Sequence, residues 1–366
     1  MTTQNPTSSE PSDGRESAAT VPGPRPPNDS TAPGANTESR HGKVRLMTPG
    51  KVSRIASNYG IVIFLILMFI AFTAALPSKF FTGVNFAQLL SDNAIPAILA
   101  IAVVLPLAAG EFDLSVAANL GFCSVLSAYV GEHGWPTIAI IVVPMIVGGL
   151  IGIFNAVLVV GIGINAFIAT LGVATVLAGG NLALTGGSTI YNGIGPSITR
   201  FVTWNVDSIQ FPVMYALIVA LIVWYLLEHA PFGRYLRATG LGRTAARLSG
   251  VRTSRYLASA FIIAGFLAGV CGFLETATFG SATASVGPGF LLPAYAAAFL
   301  GATTIRPGMF NVWGTVIGVM ILAVGINGLT LAGAPTWVSD VFNGFALIVA
   351  VSAAVLVGKH QERARS

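Results

Sequence analysis

The chain has 366 residues, of which 54% are hydrophobic and only 9% charged, against about 25% charged in a soluble globular domain. So apolar a chain needs lipid as part of its solvent. The formal charge of +5 does not argue for a nucleic-acid binder, because the basic residues lie between apolar runs instead of forming a patch on a soluble fold. Cys123 and Cys271 both sit inside apolar stretches and read as small core residues, so no disulfide framework is implied. His41, His133, His229 and His360 are scattered, and no metal site is expected.

Residues 1–50 are rich in Pro, Ser, Thr, Gly and Asn and too poor in aliphatic residues to offset the entropy of ordering, which predicts a disordered cytoplasmic tail. The tail is too long and polar for the start of a secretory signal, so the first apolar run, near Tyr59, is expected to stay in the mature protein. Residues 51–360 form the membrane domain. A bilayer core of about 30 Å needs about 20 apolar residues per helix. Charge-free runs then place spans near 59–77, 93–110, 114–131, 136–160, 166–184, 208–227, 256–279, 290–305, 311–331 and 341–358. Gly161-Ile-Gly163-Ile-Asn165 supplies the break between the fourth and fifth, and the eighth is short and carries Pro293. The fold class is thus all-α, a polytopic bundle of about ten helices.

With ten spans and the first end inside, the tail, the 229–255 loop, the Arg306 turn and the C-terminus share one side and hold 17 of the 19 Lys and Arg residues. Only Lys79 and Arg200 fall outside, so the positive-inside rule predicts both ends in the cytoplasm and segment 185–210, with Trp204 and Asp207, on the exterior.

Within the spans, Gly148-Gly149, Gly179-Gly180 and Gly265, Gly269 and Gly272 permit close helix approach. Prolines at 96, 106, 136, 144, 293 and 335 suggest kinked or broken helices, tolerated where the backbone is buried in protein or lines a cavity. Carboxylates are the sharper signal. Glu111 and Asp113 lie between the second and third spans, and Glu275 lies near the outer end of the seventh. Intramembrane carboxylates are costly and often functional, although Asp113 also reads as a cap for the helix that follows. No Gly-x-x-x-x-Gly-Lys-Ser/Thr phosphate loop, Gly-x-Ser-x-Gly elbow or His-Glu-x-x-His pair occurs, so no catalytic residue is assigned. Segment 231–255 holds six arginines and no acid. Topology alone accounts for arginines there, but Arg243-Thr-Ala-Ala-Arg247-Leu248-Ser-Gly250 also reads as a short helix ended by Gly250, suited to docking a cytoplasmic partner.

These motifs, in their order, resemble the permeases of ribose-, xylose- and arabinose-type sugar ABC importers. Gly110-Glu-Phe-Asp113-Leu-Ser115-Val is similar to that family's GGIDLSVG, Phe167-Ile-Ala-Thr170-Leu-Gly to its PFIATLG, and Leu184-Thr-Gly-Gly to its LTGG. Phe232-Gly-Arg and Ala245-Ala246-Arg247-Leu248-Ser249-Gly250 resemble its GR…AARLSG segment, and Gly314-Thr-Val-Ile-Gly and Asn327-Gly-Leu resemble late elements. The chain departs from the pattern with Gly242-Arg243-Thr244 in place of Asn-Glu-Glu, with Thr304-Ile-Arg306-Pro-Gly308 at a later turn, and with Glu111 and Glu275 at small or apolar positions.

The resemblance implies a multi-pass permease of a prokaryotic plasma (inner) membrane. It implies two such chains, most simply identical, around a pathway, two ATPase subunits inside that carry ATP and Mg, and an extracellular sugar-binding protein. It makes Arg243, Ala245, Ala246, Arg247, Leu248, Ser249 and Gly250 the coupling segment, and Asp113, Ser115, Asn165, Phe167, Thr170, Glu275 and Asn327 the candidate pathway residues. The alternative reading is an ion-coupled secondary transporter using Glu111, Asp113 or Glu275.

Overall fold

A computed structural model describes residues 51–363 apart from 192, 207 and 208, and leaves undescribed the side chains of 51–59, 206, 209, 210 and 356–363. The expected tail, residues 1–50, lies outside the described residues, as do Asp207 and the last three positions. The described chain is helical except for a two-residue antiparallel hairpin, Asn205–Val206 with Ile209–Gln210, and one isolated bridge between Ile190 and Ala282.

The helices run in order: α1 (Lys51–Ala75), α2 (Gly83–Asp92), α3 (Ala94–Ala108), α4 (Val116–Glu132) and α5 (Thr137–Ala156). After α5 the coil widens into a π-helical turn, Val157–Ile162, and then come α6 (Ala166–Thr185), α7 (Pro196–Val202), α8 (Phe211–Glu228), α9 (Pro231–Leu241) and α10 (Arg243–Leu248). The last four are α11 (Thr253–Phe279), α12 (Pro288–Gly301), α13 (Val312–Leu331) and α14 (Trp337–Arg363).

Seven stretches among the described residues are long and apolar enough to cross a bilayer: Gly83–Ala108, Thr137–Ile162, Ala166–Thr185, Phe211–Glu228, Thr253–Phe279, Val312–Leu331 and Trp337–Val355. The expected first and eighth spans correspond to the shorter apolar helices Gly60–Ala75 and Pro288–Gly301, and the third to the 17-residue α4. The second span is longer than the charge-free run suggested, because α2 leads into α3 through Asn93 and carries Asp92 with it.

Burial sorts the helices. Fourteen residues of α3 are buried, from Ala94 to Ala108 with only Pro96 excepted, so α3 is apolar all round and forms the centre. Helices α8 and α14 instead expose Ile218, Ile222, Tyr225, Val341, Phe345 and Ile348. Apolar surface of that extent is stable against lipid or a partner helix and not against water.

Close packing rests on glycine where helices cross. A Cβ placed on Gly148 of α5 would sit 2.5 Å from the Gly265 carbonyl oxygen of α11, and one on Gly152 2.4 Å from that of Phe261. The Asn119 amide of α4 donates to the carbonyls of both Gly148 (3.2 Å) and Gly265 (3.3 Å), locking three helices at that crossing. Pro144 in α5 has no N–H for the Ile140 carbonyl one turn back, and the Ser127 hydroxyl of α4 donates to that carbonyl instead, at 3.0 Å. The cysteines are buried, and the Cys123 thiol donates to Asn119 Oδ1 and to the Pro144 carbonyl, each at 3.2 Å.

Candidate functional site

The connection between α3 and α4 is a short strap held at nearly every step. Gly110, with φ of 83°, takes the left-handed conformation that ends α3. The Glu111 N–H then donates back to the Pro106 carbonyl (3.0 Å), the Asp113 N–H to the Tyr295 hydroxyl (2.9 Å) and the Leu114 N–H to Thr170 Oγ1 (3.0 Å).

Asp113 is the hub of the strap. Its Oδ1 accepts the Ser115 N–H (3.0 Å) and hydroxyl (2.6 Å), while the Tyr295 hydroxyl donates to its carbonyl (3.0 Å). Ser115 Oγ in turn accepts the Asn155 amide at 2.7 Å, and Thr170 Oγ1 donates to the Ala166 carbonyl at 2.7 Å. Asp113, Ser115, Asn155, Thr170 and Tyr295 are all buried, so this polar knot fastens the start of α4 to α5, α6 and α12. Burial pushes the Asp113 carboxyl up to about 6, a rise restrained by its bonds to the Ser115 hydroxyl and the amides of Ser115 and Val116. Asp113 accepts the amides of Ser115 and Val116 at the start of α4 from two positions before the boundary residue Ser115, whose own side chain makes no capping bond.

On the α9–α10 side of the strap, Glu111 Oε1 accepts a hydrogen bond from Arg243 Nη2 at 2.5 Å. Two residues at which the sequence departs from the motifs it resembles therefore meet in one ion pair. They edge a polar cleft of about 430 Å³ lined also by Asn165, Arg247, Thr253 and Ser254. Asn165 starts α6, its side chain accepting the N–H groups of Phe167 (3.0 Å) and Ile168 (3.4 Å), after Gly163 at φ 87° has ended the π-helical turn. Phe167 itself is exposed. Arg247 Nε donates to Thr253 Oγ1 at 3.0 Å.

The 243–250 segment folds as the short helix α10, with Gly250 at φ 83° just beyond its end. Its residues divide by face. Thr244, Ala245, Arg247, Leu248, Ser249 and Gly250 are exposed, and Leu248 at 86% and Leu241 at 88% present bare apolar side chains. Ala246 is the reverse, 7% exposed and turned inward, so it supports α10 and offers no surface to a partner. Behind α9, Glu228 accepts from both Arg237 and Arg306, tying the end of α8 to α9 and to the turn before α13.

The remaining expected pathway residues stand apart from the knot. Glu275 is half-buried on α11, where the adjacent Thr276 bonds Ser124 midway along α4, and among the described residues no hydrogen bond or ion pair reaches its carboxylate. Asn327 exchanges two amide hydrogen bonds of 3.1 Å with Asn85, joining α13 to α2. Asp113, Ser115 and Thr170 are thus brought together, Asn165 and Phe167 border the neighbouring cleft, and Glu275 and Asn327 lie elsewhere. Sequence reasoning missed Asn155 and Tyr295. Each is a hydrogen-bonding side chain within an apolar span, which in lipid calls for a partner.

Residues 85–351 match the family described as the branched-chain amino acid transport system permease component. The chain is 30% identical over 289 residues to the ribose import permease protein RbsC of Escherichia coli, covering 78% of this chain and 90% of that one. It is 30% identical over 303 residues to the D-allose transport system permease protein AlsC of the same organism, covering 82% and 93%. The autoinducer 2 import system permease protein LsrD of Photorhabdus laumondii is also 30% identical, over 266 residues, with 71% and 80% covered. No solved structure matches the chain.

Proposed function

The chain belongs to the branched-chain amino acid transport system permease component family, and from that membership we propose that it is the translocation subunit of an ABC importer for a monosaccharide. The observations that carry this reading are the matches to ribose and allose permeases over 90% and 93% of those chains and a family match over residues 85–351 that takes in both the polar knot and the exposed α10. It is a multi-pass protein of the inner membrane. A subunit of this kind opens a path and hydrolyses nothing, so ATP and its Mg belong to a separate ATPase, and a binding protein delivers sugar on the other side. A second permease copy completes the pathway.

Ten spans with both ends inside place α9 and α10 in the cytoplasm, on the side that the basic residues favour. There Leu241, Thr244, Ala245 and Leu248 form the exposed face for the ATPase, and Arg243, Ala246 and Arg247 fix that face to the bundle. The structure argues against the ion-coupled alternative at one of its three carboxylates, because Glu111 is paired with Arg243.

Reconstitution tests the reading: permease, ATPase and binding protein in proteoliposomes should take up ribose or allose only when ATP is present. Uptake by the permease alone, driven by a proton or sodium gradient, would refute it. Orientation is tested by labelling single cysteines, with Cys123 and Cys271 replaced. One at Thr244 should react from the cytoplasm only and one at Asn205 from outside only, and the opposite pattern would overturn the ten-span arrangement.

A further inference from the structure

The strap between α3 and α4 is gripped from both sides. On one side its 113–115 end is bonded to Asn155, Thr170 and Tyr295. On the other, its 108–111 end meets α9 and α10 twice. A Cβ on Gly240 of α9 would lie 2.4 Å from the Ala108 carbonyl oxygen, so the two backbones are in direct contact with no side chain between them. Three residues further along the strap, Glu111 is held by Arg243 at the first position of α10. Between these grips the Glu111 N–H is tied to Pro106 and the Asp113 N–H to Tyr295, which leaves few free rotations to absorb a displacement.

We propose that residues 108–115 act as a rigid link that carries movement of α10 into the buried Asp113 knot, with the Glu111–Arg243 ion pair as its adjustable grip. The backbone contact at Gly240 can push the strap but cannot pull it. The ion pair can do both, since the opposite charges resist separation and their atoms, already in contact, resist closer approach. An outward movement of α10 would then draw Glu111 and, through the four peptide units to Ser115, the start of α4. Movement of that start would disturb the bonds among Ser115, Asn155 and Thr170 and so the relative positions of α4, α5 and α6. Glu111 and Arg243 are positioning residues in this scheme and need not touch the transported molecule.

The inference rests on the importer reading above, and its test separates the two. Glu111→Gln, Arg243→Gln and the reversed pair Glu111→Arg with Arg243→Glu are compared with wild type in ATPase-loaded proteoliposomes, using radiolabelled ribose and allose. ATPase recovered, ATP hydrolysed, sugar accumulated and melting temperature are all measured. Glu111→Gln, which leaves the residues of α10 unaltered, should bind ATPase and melt as wild type does, yet move about three- to fivefold less sugar per ATP, the upper range expected when a partly exposed ion pair is lost, and Arg243→Gln should show the same fall per ATPase retained. The reversed pair should recover the ratio. An unchanged ratio in the single variants, or a reversed pair no better than they are, overturns the link. A proportional fall in hydrolysis and uptake with a lower melting temperature also overturns it, since the pair is then structural only. Absence of ATP-driven uptake by wild type instead overturns the importer reading, and the link with it.

Discussion

The α5–α11 crossing offers a comparison between adjacent residues. An alanine Cβ at Gly148 would lie 2.5 Å from the Gly265 carbonyl oxygen and 2.8 Å from the backbone of Gly269. Carbon and oxygen rest at about 3.3 Å even in close C–H···O contacts, so the helices must separate by about 0.8 Å. Separation also stretches the Asn119 bonds, already 3.2 and 3.3 Å, that bridge the same two helices. At Gly149 the added methyl would meet only the Phe266 Cβ, at 3.9 Å, an ordinary contact. Both substitutions gain about 1 kcal/mol of helix propensity at most, while overpacking costs about 1–3 kcal/mol and the loosened amide adds to that. Gly148→Ala should therefore destabilise by about 2 kcal/mol, and Gly149→Ala should be neutral or slightly stabilising. Unfolding by SDS in mixed micelles, followed by circular dichroism, reads the difference. Equal midpoints for the two variants would refute the claim that backbone contact sets this crossing.

Three further outcomes follow from named contacts. Ser127→Ala leaves the Ile140 carbonyl without the donor that replaces the missing N–H of Pro144, and should cost about 1 kcal/mol in the same assay. Asp113 is raised from 3.8 to about 6 by burial, so its neutral form is the one the fold prefers. The associated stability is fully present below about pH 4 and lost as pH rises through about 6, on the order of 3 kcal/mol in all. Asp113→Asn should lack that decline, and parallel melting-temperature profiles for the two proteins between pH 4.5 and 7.5 would contradict it. Leu248→Ser, alone and with Leu241→Ser, removes exposed apolar surface from α10 and α9 without touching the core, so ATPase co-purification should fall severalfold while the melting temperature stays within about a degree.

What could be read from the sequence was local chemistry. Charge-free runs located the membrane helices because lipid leaves no other place for about 20 uninterrupted apolar residues. The break at 161–165 and the end of α10 were legible because Gly163 and Gly250 supply the positive φ that those turns require. The extension of the second span through α2 was not legible, since Asp92 and Gln88 satisfy each other at 2.6 Å in a way that a charge count does not show. Nor was the face occupied by Ala246, because a six-residue helix has too few positions for its pattern to define a buried side.

The polar knot marks the physical boundary of such reading. Asp113 and Ser115 lie two positions apart and could be seen as a turn, but the hydroxyl that completes the turn belongs to Tyr295, 182 residues away. Glu111 and Arg243, 132 residues apart, behave in the same way. Taken singly, each is an unexplained charge at a position where the family pattern has another kind of residue. Side by side each neutralises the other, and the cost of placing a carboxylate beside a membrane span is offset by the arginine that replaces an acid. The residues that looked least consistent with a sugar permease are therefore consistent with each other, and their meeting place lies between α10, the helix proposed to dock the ATPase, and the knot that joins α4, α5, α6 and α12.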